Sequence, residues 1–310
     1  MSANGFRKEL TTGRWTLPVA VLVCLLLWGS TFRQWDELGS LVTVTLTGYV
    51  MIEMNTAFTL IRTRTTLPVC LFWFLMSSFI FLHPFEWTDL IPFLFAVSLY
   101  QLFASYESAT APNAIFHCFL CLGLGSLIFP KLLFFAPVFL VSTISFRSLN
   151  VKSMLAGVLG LATPYWFLLG HAFWHEEMTM FYRPFRELCQ FQSTSYATLP
   201  IHEWISWGVM SLLSVGCSFH YLQVAYQDKT RTRMFLSLMV AINIWTMLWI
   251  ALQPQQLTIL LPIQLISISF LAAHSFILTQ NRLSNFFFFV TLITLVLLTI
   301  YNLWIQFFNF

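Results

Sequence analysis

MFLSLMVAINIWTMLWIALQPQQLTILLPIQLISISFLAAHSFILTQN, residues 234–281, contains no Asp, Glu, Lys or Arg over 48 positions. A helix that crosses the hydrocarbon of a bilayer needs about 20 predominantly apolar residues. This stretch is too long for one crossing, and Gln253-Pro254-Gln255-Gln256 divides it into two. Outward from it, the rest of the chain repeats the pattern: long uncharged runs separated by short charged punctuation. That pattern predicts a polytopic, all-α transmembrane helix bundle.

The composition agrees. Of 310 residues 58% are hydrophobic and only 9% are charged, with a mean hydropathy of +0.77, whereas soluble domains are about 25% charged. Backbone groups in hydrocarbon must be satisfied within a helix or a closed barrel, and runs without period-2 alternation select helices. The run 15–32 follows Arg7, Lys8 and Arg14, as in a secretion signal. It leads into Arg33-Gln34-Trp35-Asp36 instead of a small-residue cleavage site, so it reads as a retained first helix. Of the six cysteines, all but Cys189 lie in apolar runs, where they act as small hydrophobes. A net charge of +3 is too small to suggest a nucleic-acid partner.

Eleven spans are predicted: 15–32, 39–61, 66–85, 89–106, 111–130, 132–147, 153–174, 204–226, 234–252, 257–279 and 284–307. The segment 132–147 is short and follows a tight turn at Pro130-Lys131, so it reads either as a full crossing or as partly re-entrant. Lys and Arg concentrate on the cytoplasmic side. An N-in, C-out arrangement puts Arg7, Lys8, Arg14, Arg62, Arg64, Arg147, Lys152, Lys229, Arg231, Arg233 and Arg282 inside. Arg33, Lys131, Arg183 and Arg186 are left outside, a partition of eleven against four. The location is then the bacterial inner (cytoplasmic) membrane. No linker or repeat interrupts 1–310, which reads as one transmembrane domain. Its one substantial loop, 175–203, lies outside. Phe181, Phe185 and Leu188 at i, i+4 and i+7, with Arg183, Arg186 and Glu187 between them, predict a short helix in the headgroup plane, with Pro184 in its first turn.

Four constellations are candidates for chemistry. Glu53, with Asn55 nearby, is the only carboxylate well inside a span, and an intramembrane ionisable group is by default a functional one, expected here to pair with Asn55, Gln101 or Asn243. Asp36 and Glu37 follow the first span on the outer face, where a carboxylate can act as general base or hold a divalent metal. His171 and His175 stand at i, i+4 beside Glu176 and Glu177, a spacing that binds metal on a helix, although Ala172 occupies the place of a metalloprotease glutamate. Cys118 and Cys121 sit one turn apart inside a span and read as packing, as do the small residues Ala156, Gly160, Gly123 and Gly125.

The stretch from Glu53 to His175 resembles an uncharacterised family of polytopic inner-membrane proteins from Bacteroidota, a domain of unknown function. The resemblance rests on Met54-Asn55-Thr56-Ala57-Phe58 and Ser126-Leu127-Ile128-Phe129-Pro130. Phe146-Arg147-Ser148-Leu149-Asn150, leading through Gly157 and Gly160 to Pro164-Tyr165, reinforces it. Some members carry a carotenoid-cleaving oxygenase label, but such oxygenases are similar to soluble propellers with four iron-binding histidines, and neither feature is visible here. The chain also resembles, more distantly, the GT-C class of polyprenyl-phosphate-sugar glycosyltransferases, N-in bundles with acidic residues just outside the first span. That resemblance implies a transferase acting on a lipid-linked, polyprenyl-phosphate substrate at the outer face. Asp36 or Glu37 would then serve as base or metal ligand, and Arg183 and Arg186 would hold the phosphate. The link between spans one and two departs from that class in being only about six residues long, against the long first outer loop of those enzymes. The rival expectations are a transporter or flippase-like conduit using Glu53 and Asn55, and a scaffold subunit of an envelope complex.

Overall fold

A computed structural model describes residues 3–32, 35–191, 196, 199–278 and 282–308, so Arg33 and Phe310 lie outside the described residues. Among them the chain forms α-helices and short 3₁₀ turns and no strand. The α-helices are α1 (Ala3–Thr12), α2 (Thr16–Thr31), α3 (Glu37–Phe58), α4 (Leu67–Ser78), α5 (Leu90–Ala104), α6 (Ala111–Ile128) and α7 (Ala136–Ser145). They continue with α8 (Val151–Trp174), α9 (Thr179–Cys189), α10 (Ile201–Val224), α11 (Thr230–Leu252), α12 (Leu257–Leu278) and α13 (Arg282–Phe308). Among the described residues eight helices are long and apolar enough to cross a membrane, and the shorter apolar segments Thr16–Thr31, Leu67–Ser78 and Pro130–Ser145 occupy three further expected spans. The chain is a multi-pass membrane protein. Leu212, Val215, Phe219 and Leu222 form an exposed apolar stripe along α10, and Ile293, Leu297, Ile300 and Trp304 form another on α13. In water such stripes would be a liability, whereas acyl chains are as apolar as they are.

The helices gather into two compact units, residues 1–86 with 195–310, and residues 87–194. In the first unit α12 is the core. It is apolar on nearly every face and is enclosed by α4, α10 and α11, as a helix without a polar side must be. Both ends of this unit are fixed by polar contacts. At one end Thr65 Oγ1 donates to Thr11 O (2.6 Å), Tyr221 OH to Arg233 O (2.9 Å) and Arg7 Nη2 to Phe276 O (2.7 Å). At the other, Ser40 Oγ donates to Leu82 O (3.2 Å) and Asn302 Nδ2 to Ser78 O (3.0 Å), while Thr31 Oγ1 lies 3.0 Å from His83 Nδ1. The segment from Thr66 to His83 therefore runs from one end to the other although α4 is short.

In the second unit α6 packs against both α5 and α8, and small residues set its approach to α8. A Cβ at Gly160 would run into the backbone carbonyl of Phe116, with Leu120 N at 3.2 Å, and one at Gly123 would stand 3.0 Å from Leu161 O. α8 starts at Asn150, whose Oδ1 accepts from Ser153 N at 2.8 Å, an N-cap that satisfies one orphan donor. Arg147 before it takes a left-handed φ of 54° to turn the chain. Pro184 is not in the first turn of α9 as the sequence predicts. α9 begins at Thr179, so the proline is interior and buried, and its ring fills the apolar face at the cost of one helical hydrogen bond.

Candidate functional site

The two carboxylates that follow the first expected span differ from each other. Asp36 caps the start of α3 by position only, is exposed and makes no side-chain cap bond, while Glu37, one residue on, is buried. Both belong to the first unit, and Arg183 and Arg186 to the second. Glu53 is half-buried in the last two turns of α3. The expected pairing of Glu53 is not present: Asn55 Nδ2 donates instead to Thr65 O (2.9 Å), and Asn243 Nδ2 to Ser218 Oγ (3.2 Å) and Ser214 Oγ. A carboxylate so near a helix end reaches the interface by its own length, which removes the need for a buried partner. His171 and His175 do form one face, with ring centroids 4.4 Å apart and both exposed. Among the described residues no third His, Cys, Asp or Glu joins them in a metal-holding group.

The second unit brings an unexpected residue to the predicted interfacial helix. Lys131, in the 3₁₀ turn Pro130–Phe135, is buried beside α9, with its ammonium 5.9 Å from the Phe191 ring centroid. Glu187 of α9 is the carboxylate that acts on it. The same Glu187 accepts from Arg183 Nε at 2.7 Å, which holds the Arg183 guanidinium above its ordinary pKa. α9 is anchored by Phe185, whose ring lies tilted against Tyr165 of α8 with centroids 5.2 Å apart, and the Tyr165 hydroxyl is 2.8 Å from Ser126 Oγ. Arg186 lies on the exposed charged flank of α9. Lys131, Arg183, Arg186 and Glu187 together carry a formal net charge of +2. The sequence marks Lys131 as a single cation between two apolar runs, the signal by which it could have been found.

In the first unit a second group was not anticipated. Asp228, after α10, accepts from Arg62 Nε at 2.9 Å and lies 2.8 Å from His274 Nε2, with the Asp228 and His274 side chains almost fully buried and that of Arg62 45% exposed. Tyr221 meets the His274 ring edge-on at 5.2 Å. His274 is the one titratable side chain within residues 234–281 apart from neutral polar groups, so its position in an uncharged run was its signal. Arg7 closes the same end, donating to Phe276 O and Ser284 Oγ (3.0 Å), and burial lowers its pKa. Beside α2, α4 and α13 the unit also holds an apolar cavity of about 510 Å³, with Val23, Leu71, Phe74 and Leu295 in its wall and Glu9 and Thr16 in its lining. No known protein family, curated protein or solved structure matches the chain.

Proposed function

We propose that this is an eleven-span, N-in protein of the bacterial cytoplasmic membrane that grips the phosphate of a lipid-linked substrate at the outer face through Lys131, Arg183 and Arg186. The topology is supported by the ends of the units. Arg7, Arg62, Arg233 and Arg282 gather with the ends of α1, α3, α11 and α13, as the positive-inside rule requires. In the second unit Glu107 N donates to Phe146 O at 3.2 Å, so the turns at both residues share an end. The segment between Pro130 and Ser145 then crosses, because six 3₁₀ residues rise about 2.0 Å each and ten α-helical residues about 1.5 Å each, roughly 27 Å in all. That nearly matches a hydrocarbon core of about 30 Å.

Lys131 carries the lipid reading. Burying an ammonium at the membrane boundary is costly, and such residues mark ligand paths. Here a single carboxylate, Glu187, bonds to Arg183 and attracts Lys131 only at longer range, which leaves positive charge for an anion. A phosphate supplies acceptors for several charge-assisted hydrogen bonds. The lipid reading rests on residues of the second unit alone. Membership of the Bacteroidota family belongs to the same proposal. The conduit reading loses ground because Glu53 stands near a helix end without a polar partner among the described residues.

The test is native mass spectrometry of the protein in nanodiscs loaded with polyprenyl phosphate or with the matching polyprenol. Wild type should retain the phosphate and not the alcohol. One lost charge-assisted hydrogen bond is worth about 1.5–3 kcal/mol, so Lys131→Gln should weaken retention about tenfold or more. Equal retention of phosphate and alcohol would overturn the proposal.

A further inference from the structure

The first unit holds a second buried polar system, whose argument does not depend on the lipid site. α12 is enclosed by its neighbours, yet it carries Gln264, Ser267, Ser269 and His274, all with 0% exposure. Both amide atoms of Gln264, the hydroxyls of Ser267 and Ser269 and Nδ1 of His274 have no hydrogen-bond partner among the described residues. Asn243 of α11, which packs on α12, adds an unmatched Oδ1. Each unmatched buried polar group costs about 1–3 kcal/mol, a cost that plain helix packing avoids by using apolar residues. At about 3.6 residues per turn, Gln264, Ser267 and His274 fall on one face of α12.

The ion pair at the end of this face fixes the tautomer. Asp228 as a carboxylate only accepts, so His274 Nε2, 2.8 Å away, carries the hydrogen and Nδ1 is left as a bare acceptor. The Arg62 guanidinium pairs with Asp228 and, being half exposed, connects it to solvent. The other titratable or charged groups around this end are Tyr221 and His220 of α10, Arg233 of α11 and Arg7 of α1.

We propose that the Gln264–Ser267–His274 face of α12 is a proton path that ends on Asp228. A hydronium in a hydrogen-bonded water chain along this face gives its proton to His274 Nδ1. The resulting imidazolium passes the proton on Nε2 to the Asp228 carboxylate, which releases it to water at Arg62. The ring is left as its Nδ1–H tautomer, and water that takes the Nδ1 proton while delivering another to Nε2 restores the first tautomer. At about 1.5 Å per residue, Gln256 at the far end is roughly 12 Å from Gln264, Gln264 about 4.5 Å from Ser267, and Ser267 about 10.5 Å from His274. Hydrogen bonds of about 2.8 Å let some three waters bridge the longer gaps. Histidine and carboxylate chains inside membranes serve this chemistry in general.

The test reconstitutes the full-length protein in liposomes containing a pH-sensitive dye, with a potassium gradient and valinomycin to set the potential. Wild-type vesicles should acidify faster than protein-free ones, and His274→Phe and Gln264→Leu should return the rate to the protein-free value. A wild-type rate no faster than that of empty vesicles overturns the path, as does wild-type flux in His274→Phe. Should His274→Phe fail to fold, Gln264→Leu decides, since it leaves the ion pair untouched: wild-type flux in folded Gln264→Leu protein overturns the path, and loss of flux supports it.

Discussion

Gly160→Ala tests how closely α6 and α8 must approach. The added Cβ would collide with the carbonyl oxygen of Phe116 and come within 3.2 Å of Leu120 N. Both are backbone atoms inside a helix, so no side chain can swing aside and the helices must separate. Overpacking of this kind costs about 1–3 kcal/mol, against which Ala returns up to about 1 kcal/mol of helix propensity. Gly170, ten residues further along α8, is the internal control, because a Cβ there meets nothing within 4 Å. Gly170→Ala should therefore be neutral or mildly stabilising, and the two variants should differ by about 1–3 kcal/mol. Equilibrium denaturation in mixed micelles, followed by circular dichroism, measures that difference. If both alanines shift the midpoint equally, the tight crossing is not what holds the second unit together.

Further expectations concern the charged groups. Asp228→Asn should destabilise the first unit, by less than the about 3–5 kcal/mol typical of breaking a fully buried pair, because the Arg62 side chain is 45% exposed; thermal melting of the purified protein against Arg62→Gln measures it. Glu187→Gln should cost little through Arg183, an exposed i, i+4 neighbour, and tighten retention of polyprenyl phosphate by removing the competing carboxylate; weaker retention would contradict the anion site. An impermeant maleimide added to right-side-out vesicles should modify native Cys189, which is exposed on α9. In a Cys189→Ser background, Thr230→Cys should react only after the vesicles are opened, and the reverse pattern inverts the topology.

The helical membrane class was legible in the sequence because hydropathy over some twenty residues is a local property, and backbone satisfaction in lipid permits few other folds. The same local reading located α9 and its charged flank, although it put Pro184 one turn too early in the helix. The depth of Glu53 was not legible, since it depends on where the helix ends, and α3 ends at Phe58. Residue pattern alone thus determined the solvent and the helices. Only the tertiary structure decided which polar groups meet. Asp228 reaches His274 across 46 residues and Arg62 across 166, and Lys131 lies buried beside a helix that starts 48 residues later. No local periodicity encodes such pairings, because they follow from which helices pack together, and that is set by small residues such as Gly160 and by the uniformly apolar surface of α12.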